Sequence, residues 1–355
     1  MANIMEWSNR NKFNPLNSLK GLAYYDNFKK ILGWMDGKND LPPPIEASLD
    51  PTSACNNSCY YCSSNQYLNT HIKRWGRDYF EELFCHLAEW GVKGYCWGGR
   101  EATLNQRLAE ATRMAHLCGL EGAIITNGVY LPEELLDALL LCKWIGVSVD
   151  TTDPTIYKYV RGTDDCLKVW NNIRRIADKK TKTDLDVRAL VLPETIDTLV
   201  ATCYLARECG ATRVHIRPAD LSRNDLAIAQ KMNFDMSKIE EIFERCHELE
   251  TEDFGVFTVT HKYDENFQVT HRFKRCLASP ITVHVCTDKS LYLCVDHRMS
   301  ERFKIGGFED WGSDKHRELI KSVVPDRDCS RCTYGTYNEI IEEAVIDDKM
   351  DINFP

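Results

Sequence analysis

The segment Cys55-Asn-Asn-Ser-Cys59-Tyr-Tyr-Cys62 follows directly on an apolar run, Ile45 to Thr52, that reads as a β-strand. A structural zinc site closes four ligands around the metal. Three thiols at CxxxCxxC spacing, with nothing nearby to complete the set, point instead to an iron–sulfur site. Three cysteines on a four-iron cluster leave one iron for a small ligand, and that corner is where chemistry can happen.

Outward from this loop, short apolar runs alternate with amphipathic stretches. Helices are predicted near 76–90, 104–118, 132–142, 154–159, 165–179, 195–208 and 236–249. Strands are predicted at 94–99, 122–128, 144–150, 185–193 and 212–218, which with 45–52 makes six strand–helix units over 46–254. Apolar strands of this kind are buried on both faces. Repeated βα units imply parallel strands with right-handed crossovers. Six units fall short of an eight-stranded barrel, so the expected fold class is α/β, a partial (β/α)6 TIM-like barrel. Its site should lie at the C-terminal ends of the strands. Residues 1–45 read as a polar lead-in ending in Pro42-Pro43-Pro44, an extended connector. After about 255 a β-hairpin (281–286 and 291–296) and helices near 311–323 and 335–346 suggest a small α+β domain over 255–346, followed by an acidic tail, 347–355.

The 355-residue chain is 43% apolar and 27% charged, with a net charge of -9. That balance, without a long basic run, argues against nucleic acid and acidic membranes as partners. No apolar stretch nears the ~20 residues a bilayer span needs, and the N-terminus lacks a signal-peptide layout. Sixteen cysteines without a secretion signal point to a reducing compartment, the cytoplasm. Cys85, Cys118, Cys142, Cys209 and Cys246 lie inside helical patterns and read as small core hydrophobes.

The second strand ends in Gly98-Gly99-Arg100-Glu101-Ala102-Thr103. Two glycines let a ligand approach bare backbone, and the carboxylate of Glu101 can receive an ammonium group. Alone, such a stretch is also a plain turn. Thr126-Asn127-Gly128 and Ser148-Val149-Asp150 end the next two strands with short polar side chains, suited to ribose hydroxyls, to substrate, or simply to turns and helix caps. Arg188 and Arg217 lie in apolar strands, where an unpaired charge is costly, so each needs a partner. A ligand carboxylate would serve, as would Asp150 or Glu101. Four further cysteines, Cys276, Cys294, Cys329 and Cys332, could close a zinc site or ligate a complete cluster.

The cysteine loop, with Tyr61 before its last thiol and the GG-x-E stretch one strand later, resembles the radical S-adenosylmethionine (SAM) superfamily. The resemblance implies a SAM-binding four-iron cluster on Cys55, Cys59 and Cys62. Tyr61 would flank the adenine, Gly98, Gly99, Glu101 and Thr103 would hold the methionine amine, Asn127 and Ser148 would meet the cofactor, and Arg188 would hold its carboxylate. Arg100 and Ala102 depart from the usual small residue and proline. The C-terminal cysteines resemble a SPASM or shortened "twitch" extension. Seventeen residues separate Cys276 from Cys294 and no cysteine follows Cys332, which implies one auxiliary four-iron cluster. Lys289 stands where a glycine usually precedes the hairpin cysteine, so a different turn is expected; Cys286 is a spare thiol, a packing residue or a substitute ligand.

In that superfamily the reduced cluster cleaves SAM, and the 5′-deoxyadenosyl radical abstracts a hydrogen from the substrate. An all-cysteine auxiliary cluster would accept the remaining electron, making the enzyme an oxidoreductase, for example an alcohol dehydrogenase of sugars or aminocyclitols. A base would then be needed, with Asp150, Arg217, Asp296 or His297 as candidates. A peptide-modifying maturase is the alternative, although the lead-in is short for a leader-recognition domain. A redox-neutral epimerase is another, with Cys96, Cys203 or Cys286 as hydrogen donor. From a different class comes an electron-transfer or scaffold protein, for which the glycine motif has no use. The implied partners are a small-molecule or peptide substrate and a flavodoxin- or ferredoxin-type electron donor.

Overall fold

The computed structural model describes residues 21, 23–62, 72–219, 236–260, 271–329 and 332–346. The acidic tail and the first 20 residues of the lead-in lie outside the described residues.

Seven strands follow in chain order: β1 (Glu46–Leu49), β2 (Gly94–Trp97), β3 (Glu121–Thr126), β4 (Trp144–Ser148), β5 (Asp184–Val191), β6 (Arg213–Pro218) and β7 (Gly255–Thr258). Each pairs in parallel with the next. The sixth unit is therefore followed by a seventh parallel strand, at the point where the sequence suggests a new domain. The C-terminal hairpin does not stand apart either. Its first arm, β8 (Thr282–Val285), pairs in parallel with β1, and β9 (Leu291–Tyr292) and β10 (Lys304–Gly306) continue antiparallel from it. One ten-stranded sheet results, in the order β10-β9-β8-β1-β2-β3-β4-β5-β6-β7.

Strand residues alternate between faces, and the two faces differ sharply. Ala47, Leu49, Trp97, Ile124, Ile145, Val147, Val187, Ala189, Val214 and Ile216 join one apolar core with the flanking helices. The opposite face carries two sets that the register brings level in neighbouring strands: Ser48, Cys96 and His284, and Ser148, Arg188 and His215. Helix α2 (Arg77–Trp90) shows why the first face closes. Phe80, Leu83, Phe84 and Leu87 recur at helical spacing and are buried, and Phe80 and Phe84 meet Trp97 edge-on. Each such side chain contributes about 1.5–3 kcal/mol on burial. Gly91, at φ +92, stops the helix.

Part of the lead-in is helical. In α1 (Tyr25–Met35), Phe28 and Ile31 pack on Leu277, Ala278, Ile281 and Ile341. Trp34 packs on Leu293, Phe303, Ile320 and Val323 and donates to the Gly312 carbonyl at 2.8 Å. The lead-in thus buttresses the segment that carries the C-terminal cysteines. No helix among the described residues is long and apolar enough to cross a membrane.

Candidate active site

The cysteine loop leaves the C-terminal end of β1 and is tied down from three sides. Helix α3 (Pro154–Arg161) provides the first. It starts on an Asp153 cap, whose carboxylate accepts from the Thr155 and Ile156 amides, and ends at Gly162 with φ +72. That end abuts the loop: the Ser58 amide donates to the Arg161 carbonyl at 3.1 Å. A Cβ at residue 162 would lie 2.1 Å from Ser58 Oγ, so only glycine fits.

The second tie is Asn127. Its side-chain amide donates to Asn56 Oδ1 at 2.6 Å and Asn57 Oδ1 at 3.2 Å, while its own Oδ1 accepts from the Val129 amide. The residue expected at the cofactor is here a clasp between β3 and the cysteine loop.

Glu101 is the third. Its carboxylate is buried and accepts from Thr103 Oγ1 at 2.7 Å, Thr103 N at 3.3 Å and Thr126 Oγ1 at 2.6 Å on Oε1, and from Asn127 N at 2.7 Å on Oε2. Burial raises its pKa, and the Thr126, Asn127 and Thr103 donors oppose the rise. A carboxylate oxygen takes about two hydrogen bonds, so Oε2 has capacity for one further donor. Gly99, at φ +79, brings the preceding backbone down onto Asp50, where a Cβ would lie 2.4 Å from the carboxyl carbon.

Asp150 and Arg161 form a buried ion pair, Nε to Oδ2 at 2.7 Å, with side chains 0% and 7% exposed. The Tyr61 hydroxyl donates to the same oxygen at 2.5 Å, and the Leu190 amide to Oδ1 at 3.0 Å. Asp150, offered by the sequence as a candidate base, is here engaged by Arg161, Tyr61 and the Leu190 amide. The buried guanidinium needs its charge, and the pair fixes the tyrosine between Cys59 and Cys62.

Arg188 also departs from expectation. Its guanidinium lies 5.0 Å over the Trp144 ring, and its side chain crosses Gly146 to get there. Trp144 begins β4, so Arg188 points toward the N-terminal end of the sheet, away from the loops. Ser148 is half-buried opposite Arg188, and Arg217 opposite Leu190. Cys203 lies buried beside Cys246 in the helix-packed core.

Cys276, Cys294, Cys329 and Cys332 line one cavity, walled by Phe273, Leu293, Val323 and Tyr334. Three of the sulfurs meet a nitrogen there: Asp296 N at 3.4 Å from Cys294, Asn338 Nδ2 at 3.6 Å from Cys332, and His297 Nε2 at 3.6 Å from Cys329. Asn338 was not apparent from the sequence. It also accepts from the Leu277 and Ala278 amides, both at 2.7 Å, locking the segment after Cys276. Asp296 and His297 are in the wall of this cavity. The Asp296 carboxylate accepts from Thr333 N and Oγ1, at 3.0 and 2.9 Å, and the His297 ring stacks on Phe303. Cys286 does not line the cavity. Lys289 holds φ +68, so the turn expected to differ keeps the left-handed geometry of a glycine.

Both thiol sets suit iron–sulfur chemistry by their donors. Burial pushes Cys55 up to about 11 and raises Cys59, Cys276 and Cys294. In the bare chain they are neutral thiols, whose protons a metal centre would displace. Among the described residues, no group of three or more His, Cys, Asp or Glu converges closely enough to hold a single ion. Three thiols on one loop and four lining one cavity are the soft donors that iron–sulfur clusters take.

PqqA peptide cyclase of Xanthomonas campestris pv. campestris (strain B100) is 28% identical over 187 residues, 50% of this chain and 47% of that protein. The counterpart from Ruegeria pomeroyi is 28% identical over 179 residues, with the same coverage. The chain thus spans about half the length of these curated relatives. The fold is similar to Streptococcus suis SuiB bound to precursor peptide SuiA, with TM-score 0.65 and 14% identity over 90% of this chain and 77% of that one. It is also similar to native anSMEcpe with bound AdoMet, with TM-score 0.58 and 17% identity over 82% and 87%. Residues 49–206, the stretch that carries the braced CxxxCxxC loop, match the Radical SAM superfamily, so this part of the chain is a radical SAM domain.

Proposed function

We propose that the chain is a radical SAM enzyme that modifies a peptide, with an auxiliary four-iron cluster in its C-terminal cavity. The observation that carries the reading is the bracket of Glu101, Thr126 and Asn127, which joins the cysteine loop to the Gly98–Glu101 loop. Cys55, Cys59 and Cys62 would hold the first cluster. The Gly98–Gly99 backbone and the spare capacity of Glu101 Oε2 would receive the methionine amine, with Ser148 on the same side of the sheet. Cluster and SAM together supply one-electron cleavage of SAM and hydrogen abstraction. The chain's own part is to hold the loop rigid, through Arg161, Tyr61 and Asn127, and to keep the thiols partly shielded from water.

Cys276, Cys294, Cys329 and Cys332 would hold the second cluster. Four protein thiolates would leave no iron for substrate, so such a cluster would serve to take up an electron and the net reaction would be an oxidation. Flavodoxin or ferredoxin chemistry suits the initial reductant. A peptide substrate is favoured over a sugar or aminocyclitol because the curated relatives are named peptide cyclases; alcohol oxidation would use the same two centres.

The test is 5′-deoxyadenosine production by the reduced, reconstituted protein. Wild type is expected to form it and Cys55→Ala is not; retained cleavage in the variant sinks the reading. PqqA is the first peptide to try, because the curated relatives are named for it, with the product read as a change in peptide mass. Turnover of a polyol with peptides untouched would return the substrate to the alcohols.

A further inference from the structure

Arg298, four residues beyond Cys294, reaches back to the C-terminal end of β1. Its Nε lies 3.0 Å from Asp50 Oδ2 and 3.2 Å from Oδ1. Nη2 donates to Ser48 Oγ at 3.0 Å, and Nη1 to the Val295 carbonyl at 3.1 Å. The pair is largely withdrawn from water, with side chains 20% and 7% exposed. Above it sit the two glycines that end β2. A Cβ at Gly98 would lie 3.3 Å from Arg298 Nη2, and one at Gly99 2.4 Å from Asp50 Cγ. The glycine loop therefore rests directly on this ion pair.

A planar guanidinium with fixed donors sets distance and angle together, which a flexible ammonium does not. Here it ties three things: the end of β1, the seat of the glycine loop, and the carbonyl next to Cys294. We propose that Arg298 is a positioning residue for SAM, fixing the Gly98–Gly99 backbone through Asp50 so that cofactor affinity depends on the C-terminal segment. The inference rests on the reading of that glycine loop as the SAM site. Energetic coupling between sites is reciprocal, so SAM would in turn steady the segment around Cys294.

The experiment is equilibrium dialysis of SAM against the anaerobically reconstituted full chain. Wild type, Arg298→Met, Asp50→Asn, the double variant and Arg298→Lys are compared, each below its melting temperature and with iron content measured. Each of the two single removals should weaken binding about tenfold, a common size for such coupling, with iron at Cys55, Cys59 and Cys62 retained. The double variant should be no worse than the weaker single one, and Arg298→Lys should recover part of the loss. Should Arg298→Met fail to fold with its carboxylate unpaired, the double variant and Arg298→Lys carry the comparison. Affinities within about twofold of wild type, or losses that multiply in the double variant, overturn the proposal alone. A wild type that holds its cluster and binds no SAM overturns the reading of the loop, and this proposal with it.

Discussion

Tyr61 and Asp150 meet through a 2.5 Å hydrogen bond from the phenol to Oδ2, on the same oxygen that pairs with Arg161. Asp150 reaches this position from φ +67, a conformation that costs a non-glycine residue about 1–3 kcal/mol. Three partners over-determine it: the phenol, the guanidinium and the Leu190 amide. The consequence for the site is that the cysteine loop cannot shift without disturbing a buried ion pair.

Two substitutions separate those contributions. Tyr61→Phe removes one hydrogen bond to a charged acceptor and should cost about 1.5–3 kcal/mol. Asp150→Asn leaves Arg161 buried without its counter-charge and should cost about 3–5 kcal/mol. Urea unfolding of both variants checks the order. Equal losses would mean that the ion pair adds nothing beyond the phenol's bond.

Glu101 gives a second case. In Glu101→Gln the amide can keep its oxygen toward the threonines only by turning its NH2 toward the Asn127 amide. Donor then faces donor, a loss of about 1–3 kcal/mol, and SAM affinity should fall as well. A denaturation midpoint equal to wild type would show that the bracket does not hold the loops together.

How much of this was legible beforehand depends on how far apart the partners lie in the chain. The cysteine spacing and the glycine pair are local, and chemistry alone makes them readable. Arg161 is not readable, because nothing near it announces that its carbonyl caps Ser58 and its charge meets Asp150. Arg188 was legible as a charge needing company, but not that its guanidinium lies over the Trp144 face, two residues before Gly146. Helix α1 was missed because Trp34 finds its partners at Leu293, Phe303 and Ile320, far along the sequence. Strand β7 is only four residues long, Gly255–Thr258, and owes its place to pairing with β6 rather than to its own pattern.

Lys289 shows geometry persisting without the expected residue. Its φ of +68 carries a penalty of about 1–2 kcal/mol that glycine escapes. Against that, its ammonium sits 4.5 Å over the Tyr79 ring, a contact of about 0.5–1 kcal/mol. Glycine also adds about 0.4–1 kcal/mol of unfolded-state entropy, which together with the lost contact nearly offsets the relieved penalty, so Lys289→Gly should leave the melting temperature almost unchanged. Lys289→Val loses the contact and adds a branched Cβ at positive φ, and should be destabilised. A stable valine variant would contradict the turn described here.

His316 sets part of the acid response. It is buried between Trp34 and Trp311, and its Nδ1 accepts from the Gly312 amide at 3.1 Å. Burial pushes its pKa down to about 4 from 6.5. Between those values the unfolded chain binds a proton that the folded chain refuses. Stability is therefore held above this window and lost as pH falls through it, by up to about 1.4 kcal/mol per pH unit. His316→Gln should flatten that limb in urea titrations at pH 7, 5.5 and 4.5. An identical slope in the variant would assign the acid loss to other groups.

Metal content discriminates between the two cysteine sets. Three thiols on the first loop and four around the cavity imply about eight irons per reconstituted chain. The Cys55, Cys59 and Cys62 triple alanine variant should retain about four, all in the cavity. Cys329→Ala or Cys332→Ala should spare SAM cleavage and block the completed product, because the substrate's electron then has no acceptor within the chain. Since Asn338 joins Cys332 to the Leu277 and Ala278 amides, the folded state of each variant is checked by circular dichroism first. Four irons in wild type falling to none in the triple variant would leave the cavity without a cluster. The chemistry would then turn redox-neutral, with hydrogen returned to the substrate instead of an electron withdrawn.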